Sequence, residues 1–221
     1  IPPHEAHWPR RLPRDLDIPE TTLWFNAEVS ARRYPNKVFY QFLGKALTFA
    51  AFEAQALAVA GWLQAQGVKP GDRVMVVMQN CPQYAVAFYG ALRAQAVVVP
   101  VNPMNRADEL GHYITDPGTK VAFVTAELAG ALSQANERLD PAQRLAHMVV
   151  THYTDALPPR EAADLMPPAM ADWLYGQHPL PTGAVSWHDV LKSQQAPLPY
   201  TGQPDDLAIL PYTSGTTALP K

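Results

Sequence analysis

The fold is constrained most by short, mainly apolar runs that recur through the middle of the chain, at residues 74–78, 96–101, 120–125 and 148–151. Such runs are typical of strands that are buried on both faces, as in parallel sheets. Stretches with helical apolar spacing separate them, so each crossover is long enough to join parallel strands. The pattern therefore predicts an α/β fold, a layered β/α sheet with right-handed crossovers.

Helix signals lie before and between the predicted strands. Thr21 or Thr22 can cap a helix that ends at residue 33, and Thr48 can cap a longer, Ala-rich helix. Gly67 follows the second helix at the position where glycine commonly ends one. Further predicted elements are helices at 82–94, 106–115 (capped by Asn105) and 126–138, and a hairpin of strands at 38–42 and 46–47.

Proline divides the chain into regular and irregular parts. Of the 23 prolines, six lie in residues 1–35 and eleven in residues 158–221. Proline lacks a backbone N–H and ends helices, so both ends of the chain should be irregular. We therefore predict an extended arm at 1–20, a β/α core at 21–156, a Pro-rich connection at 157–206 with short helices at 169–175 and 186–193, and a final segment at 207–221.

Composition excludes several classes of protein. Lys and Arg number 17 against 20 Asp and Glu, a net charge of −3, which argues against nucleic-acid binding through phosphate electrostatics. Cys81 is the only cysteine, so no intramolecular disulfide can form, and we interpret it as a small buried residue rather than a nucleophile. No transmembrane run and no signal-peptide pattern occurs, which predicts a cytoplasmic protein, with peripheral membrane association left open.

The final segment carries the clearest chemical signal. A strand predicted at 207–210 leads into small, hydroxyl-rich residues and a lysine: Thr213, Ser214, Gly215, Thr216, Thr217 and Lys221. Small side chains let backbone N–H groups approach an anion, hydroxyls add donors, and lysine adds a positive charge suited to phosphate. Pro220 replaces the second glycine of a Walker A loop, which argues against that class of nucleotidase. An ordinary Ser/Thr/Gly turn is the alternative reading.

These residues resemble a known family. Residues 212–221, YTSGTTALPK, are similar to the phosphate-loop signature Y-T-S-G-T-T-G-x-P-K of the AMP-forming acyl-CoA synthetases and their adenylate-forming relatives. GVKPGDRV at 67–74, Asn80, residues 96–103 and the Glu109-Leu110 helix with Asp116 resemble the preceding part of that family. The resemblance covers roughly residues 20–221. Residues 101–120 are most similar to the medium- and long-chain fatty-acid branch.

The resemblance implies the N-terminal part of one large AMP-binding domain in an ATP-dependent fatty acid–CoA ligase. Such enzymes use ATP, Mg²⁺ and coenzyme A to convert a carboxylate through an acyl-adenylate into a thioester. By the resemblance, ATP phosphates would contact Thr213, Ser214, Gly215, Thr216, Thr217 and Lys221, with Thr213 also near Mg²⁺. The family's other substrate contacts and its adenylation lysine lie mostly beyond this point. We expect no catalytic residue within the chain, and no acyl-adenylate from these 221 residues alone.

Other readings stay open at this point. The parent could be another adenylate-forming enzyme: an aryl-CoA ligase, a luciferase-like enzyme or a carrier-protein adenylation domain. The chain could also be a truncated, non-catalytic domain. The sequence specifies neither the acyl chain length nor whether a homo-oligomer forms. Ala218 replaces the family's glycine; if that position needs a positive φ, alanine costs about 1–2 kcal/mol, and we expect weaker triphosphate binding.

Overall fold

A five-stranded parallel sheet is the centre of the computed structural model, which describes residues 3–162 and 166–213. The strands are β1 (Val38–Phe42), β2 (Lys45–Thr48), β3 (Arg73–Val77), β4 (Val97–Pro100), β5 (Val121–Thr125), β6 (His147–Thr151) and β7 (Val185–Ser186). β1 and β2 pair as an antiparallel hairpin, and the others lie side by side in the order β4-β3-β5-β6-β7. Every pair in that sheet is parallel, which confirms the predicted α/β class.

Helices cover both faces of the sheet. They are α1 (Leu23–Arg33), α2 (Phe49–Ala65), α3 (Pro82–Arg93), α4 (Ala107–Thr115), α5 (Ala126–Glu137), α6 (Pro168–Leu174) and α7 (Trp187–Lys192). Val74 and Val76 of β3 pack into one core with α1, α2, α3 and α7. Met75 and Val77 point to the opposite face and pack with α4 and α5. Both faces of β3 are therefore buried, which is why its sequence is apolar without alternation.

Local capping chemistry sets the ends of the first helices as predicted. The Thr22 hydroxyl accepts a hydrogen bond from the N–H of Phe25 at 3.1 Å, and Thr48 caps α2 in the same way. Gly67 has φ +85°, a conformation that favours glycine, just after α2 ends. The prediction of Asn105 as the cap of the helix at 106–115 was wrong. Arg106 is the N-cap of α4, because the Glu109 carboxylate reaches back to the Arg106 N–H at 2.8 Å.

The predicted strand at 207–210 is reduced to one parallel bridge between Val98 and Ile209. The N–H of Val98 donates to the Ala208 carbonyl at 2.9 Å, and the N–H of Leu210 donates to the Val98 carbonyl at 2.8 Å. The next residue of β4 facing this segment is Pro100, which has no N–H to donate. The ladder therefore stops after one repeat.

The two irregular parts contain more regular structure than predicted. A 3₁₀-helix, Pro3–His7, lies in the predicted extended arm, and residues 9–20 form no helix or strand. In the connection, α6 and α7 confirm the two short helices to within one residue. β7 was missed; it pairs with β6 through only two residues. The division of the chain into arm, core, connection and final segment stays a prediction.

Candidate functional site

The predicted phosphate-binding loop begins where the described part of the chain ends. Thr213 is described, and its side chain is exposed. The other predicted site residues lie outside the described residues: Ser214, Gly215, Thr216, Thr217 and Lys221. Ala218 lies there too. The structure therefore shows how the chain approaches the loop, and the phosphate contacts themselves stay a prediction.

The approach runs along the edge of the sheet. The bridge to Val98 is parallel, so the segment around Ile209 has the same direction as β4. Residues 211–213 therefore follow the bridge on the side where β4 ends and its connection to α4 begins. In open α/β sheets, ligands bind outside the carboxyl ends of the strands. The loop therefore starts beside the carboxyl ends of the strands, where ligands bind in such sheets.

Tyr212, the first residue of the signature, packs against the last turns of α4. Its ring lies 5.0 Å from that of Tyr113 and 5.8 Å from that of His112, edge to face in both cases. Its hydroxyl donates a hydrogen bond to the Asp116 carboxylate. Burial raises the pKa of Tyr212 above its ordinary value, and the hydrogen bond to Asp116 and the charge of that carboxylate raise it further.

Sequence reasoning did not connect these two residues. In the sequence, Asp116 belongs only to the stretch that resembles the family, and Tyr212 only to the signature. The two residues are 96 positions apart, and no local spacing pattern reports a contact over that separation. Asp116 follows α4, and Tyr212 precedes the loop. The bridge at the sheet edge brings these two residues together.

The connection is fastened to the core before it reaches the sheet edge. The Arg93 guanidinium donates to the Leu198 carbonyl at 2.9 Å and lies 5.5 Å above the Tyr200 ring. Burial lowers the pKa of Arg93, partly offset by the charge of Glu28. At Gly61 of α2, an added Cβ would lie 1.8 Å from the Gln195 carbonyl oxygen, so only glycine permits this close approach.

A cavity of about 220 Å³ lies elsewhere, near the opposite edge of the sheet. Lys45 of the hairpin, Gln83 at the start of α3 and Trp187 of α7 contribute to its lining. The Lys45 ammonium lies 3.5 Å from the Asp155 carbonyl oxygen and 3.4 Å from that of Leu157. Gln83 is buried and donates to the His152 carbonyl at 2.9 Å. The sequence reasoning selected none of these residues, and the cavity is separate from the approach to the loop.

The described residues add little to other functional readings. Cys81 is buried, which raises the pKa of its thiol to about 11, so the thiol is protonated at neutral pH. This confirms its interpretation as a small buried residue. Within residues 3–162 and 166–213, no three His, Cys, Asp or Glu side chains are grouped to hold a metal ion. No helix in that same part of the chain is long and apolar enough to cross a membrane.

Two solved structures have the same fold over most of this chain. The anthranilate CoA ligase AuaEII, in complex with anthranoyl-AMP, superimposes with a TM-score of 0.74 at 22% identity, over 92% of this chain and 34% of that one. The N-terminal domain of FACL13 from Mycobacterium tuberculosis gives a TM-score of 0.66 at 25% identity, over 90% of this chain and 42% of that one. The layered sheet is therefore the fold found in these two structures.

Curated sequences are also similar. The long-chain-fatty-acid–CoA ligase of Bacillus subtilis (strain 168) is 31% identical over 99% of this chain and 39% of its own length. A ligase of that name from Escherichia coli O6:H1 is 32% identical over 88% of this chain and 34% of its own length. The chain thus spans less than half the length of these relatives. The model of the AMP-binding enzyme family matches residues 27–221, so the chain belongs to the AMP-binding enzyme family.

Proposed function

We propose that the full-length protein carrying this chain is an ATP-dependent fatty acid–CoA ligase, and that this chain forms its N-terminal part. One observation carries the proposal: the signature YTSGTTALPK starts at Tyr212, directly after the segment that is bridged to the edge of the parallel sheet at Val98. The names of the relatives from Bacillus subtilis and Escherichia coli support fatty acids as the substrate class.

The reaction would proceed in two steps, adenylation of the carboxylate and then thioester formation. A carboxylate oxygen attacks the α-phosphorus of ATP, which forms the acyl-adenylate and releases pyrophosphate. The coenzyme A thiol then gives up its proton to solvent, its sulfur attacks the acyl carbonyl to form the thioester, and AMP leaves with the electron pair of the broken acyl C–O bond. A carboxylic acid is already ionised at neutral pH, so the first step needs little base catalysis. Its main requirement is stabilisation of charge on the phosphates.

The residues of the loop fit that requirement. Ser214, Thr216 and Thr217 would donate hydroxyl and backbone hydrogen bonds to phosphate oxygens, and Lys221 would add a positive charge. Thr213 is exposed at the start of the loop and offers a hydroxyl oxygen. A hydroxyl of a phosphate-binding loop can bind the Mg²⁺ that accompanies a nucleotide, and Thr213 would supply that oxygen here. Bound Mg²⁺ would supply further neutralisation of phosphate charge.

The proposal is tested by pyrophosphate release from the full-length protein. Carboxylates of increasing length, from acetate to oleate, and the aryl acids benzoate and anthranilate are compared, each with and without coenzyme A. We expect pyrophosphate release that requires a medium- or long-chain fatty acid, and acyl-CoA only when coenzyme A is present. Release with aryl acids alone would replace the proposal by an aryl-CoA ligase. Adenylate without any thioester would indicate another adenylate-forming enzyme, and no release with any acid would indicate a non-catalytic protein.

A further inference from the structure

We propose that Asp116 and Tyr212 are positioning residues for the phosphate-binding loop. Their hydrogen bond ties the first residue of the signature to the end of α4, and thereby sets where Thr213 begins the loop. The inference rests on the proposed function for its consequence in catalysis. The contact itself is a property of the described residues.

The contact comes from a single face of α4. His112 and Asp116 are four residues apart and Tyr113 and Asp116 are three apart, spacings that place side chains next to each other on a helix. Tyr212 lies across this face, with its ring against His112 and Tyr113 and its hydroxyl on Asp116. Edge-to-face packing fixes the direction of the ring, and the hydrogen bond fixes its tip.

The physics of α4 alone does not account for an aspartate at residue 116. Asp116 is the C-cap of α4, where the unsatisfied carbonyls carry partial negative charge. A carboxylate is disfavoured at that end, and a lysine or arginine would be favoured. The hydrogen bond from the Tyr212 hydroxyl stabilises the Asp116 carboxylate, and this partner lies outside the helix.

The consequence for the loop follows from chain geometry. The bridge to Val98 holds Ile209 and Leu210, and Pro211 has a restricted φ. The hydrogen bond of Tyr212 extends this restraint to the residue adjoining Thr213. Without it, the chain after Pro211 gains rotational freedom that nucleotide binding must remove, which weakens binding of ATP rather than of the carboxylate.

The first experiment measures the restraint directly, in the full-length protein without nucleotide. Hydrogen–deuterium exchange is followed for the amides of residues 209, 210, 212 and 213 in the Tyr212→Phe and Asp116→Ala variants. Tyr153→Phe is the matched control, because the Tyr153 hydroxyl also donates to a carboxylate, that of Glu127, at 2.8 Å. We expect several-fold faster exchange in both test variants and none of this change in the control. Unchanged exchange in Tyr212→Phe would overturn the inference.

The second experiment measures ATP–pyrophosphate exchange in the same variants. Both variants remove a hydrogen bond to a charged group, whose free energy is reduced here by solvent exposure. Its loss should raise the KM for ATP about three- to tenfold. The KM for the fatty acid should not change, and Asp116→Asn, which keeps an acceptor, should restore most of the ATP affinity. Equal effects on both KM values would indicate a merely structural role and overturn the inference. If the unsubstituted protein shows no ATP–pyrophosphate exchange, the proposed function fails. Hydrogen–deuterium exchange of the amides still decides the inference in that case.

Discussion

Among the described residues, the hydroxyls of Tyr153 and Tyr212 donate to carboxylates, but their surroundings differ. The Tyr153–Glu127 pair lies in the core: Tyr153 is 6% exposed, and Glu127 also accepts from the Thr125 hydroxyl at 2.8 Å. Glu127 is in the first turn of α5, where a carboxylate suits the helix dipole. The Tyr212–Asp116 pair lies near the surface, and its carboxylate is at the unfavourable end of α4. The same chemical pair thus stabilises the core in one place and restrains a loop in the other.

The largest difference between the pairs should appear when each ring is removed. Tyr153→Ala should lower the free energy of unfolding by about 3–5 kcal/mol, because it deletes a buried ring. That ring also packs 5.2 Å from Trp173 and 6.5 Å from Phe42. Tyr212→Ala should cost about 1 kcal/mol, since its ring is only partly buried.

Native-state amide exchange of β5 and β6 in the full-length protein measures both losses. His188→Ala, an exposed position on α7, is a control that should leave the exchange unchanged. Equal losses from the two tyrosine variants would show that the second pair is as much a part of the core as the first.

The next comparison replaces an alanine by glycine at a position that follows each tyrosine in the chain. Ala218→Gly restores the glycine of the family signature, and ATP affinity should rise roughly 5- to 30-fold if alanine there costs about 1–2 kcal/mol. Ala156→Gly, which follows Tyr153 in a 3₁₀-helix, is the matched control and should leave ATP affinity unchanged. Isothermal titration with ATP on the full-length protein measures both. An unchanged affinity in Ala218→Gly would mean that the loop accepts alanine with negative φ.

The sequence predicted those parts of the molecule that depend on local or repeating signals. Thr22 and Thr48 cap their helices because the donor and acceptor are only three residues apart. β3 was predicted because burial on both faces leaves an apolar run that needs no knowledge of its neighbours. The start of α4 was misplaced by one residue because Glu109 competed successfully for the Arg106 N–H.

What could not be predicted depends on contacts between distant residues. β7 has two residues and no pattern of its own, so only β6 defines it as a strand. The bridge at Ile209 ends because of Pro100, a residue in another strand. The signature predicted a phosphate-binding loop, but the Tyr212–Asp116 contact arises from the path of the connection around the core, which local patterns do not encode.

Alkaline pH should separate the two pairs further. Burial, and then the hydrogen bond to Glu127, raises the pKa of Tyr153 above 10.0, and burial and Asp116 act in the same direction on Tyr212. The unfolded chain therefore loses these protons first as pH rises. The stabilisation is complete below about pH 10 and is lost above it.

Thermal unfolding between about pH 8 and pH 11 measures this loss. Tyr153→Phe should flatten the alkaline decline of Tm more than Tyr212→Phe, because water screens the partly exposed pair. Tyr34→Phe, at an exposed position, is the control and should follow the unsubstituted protein. Identical slopes for the Tyr153 and Tyr212 variants would contradict the difference in burial as the cause.

The smallest expected effect comes from the helix dipole, which acts in opposite directions on Asp116 at the end of α4 and on Glu127 at the start of α5. In a Tyr212→Phe background, Asp116→Asn should stabilise α4 by about 0.3–0.5 kcal/mol, because the carboxylate then faces only the negative end of the helix dipole. In a Tyr153→Phe background, Glu127→Gln should destabilise α5 by about 0.3–1 kcal/mol, since Glu127 faces the positive end. Amide exchange of α4 and α5 at low salt measures both changes, and high salt should reduce them. Changes of the same sign would show that the helix dipole does not distinguish the two carboxylates, and the reason for Asp116 would then have to be sought within α4 itself.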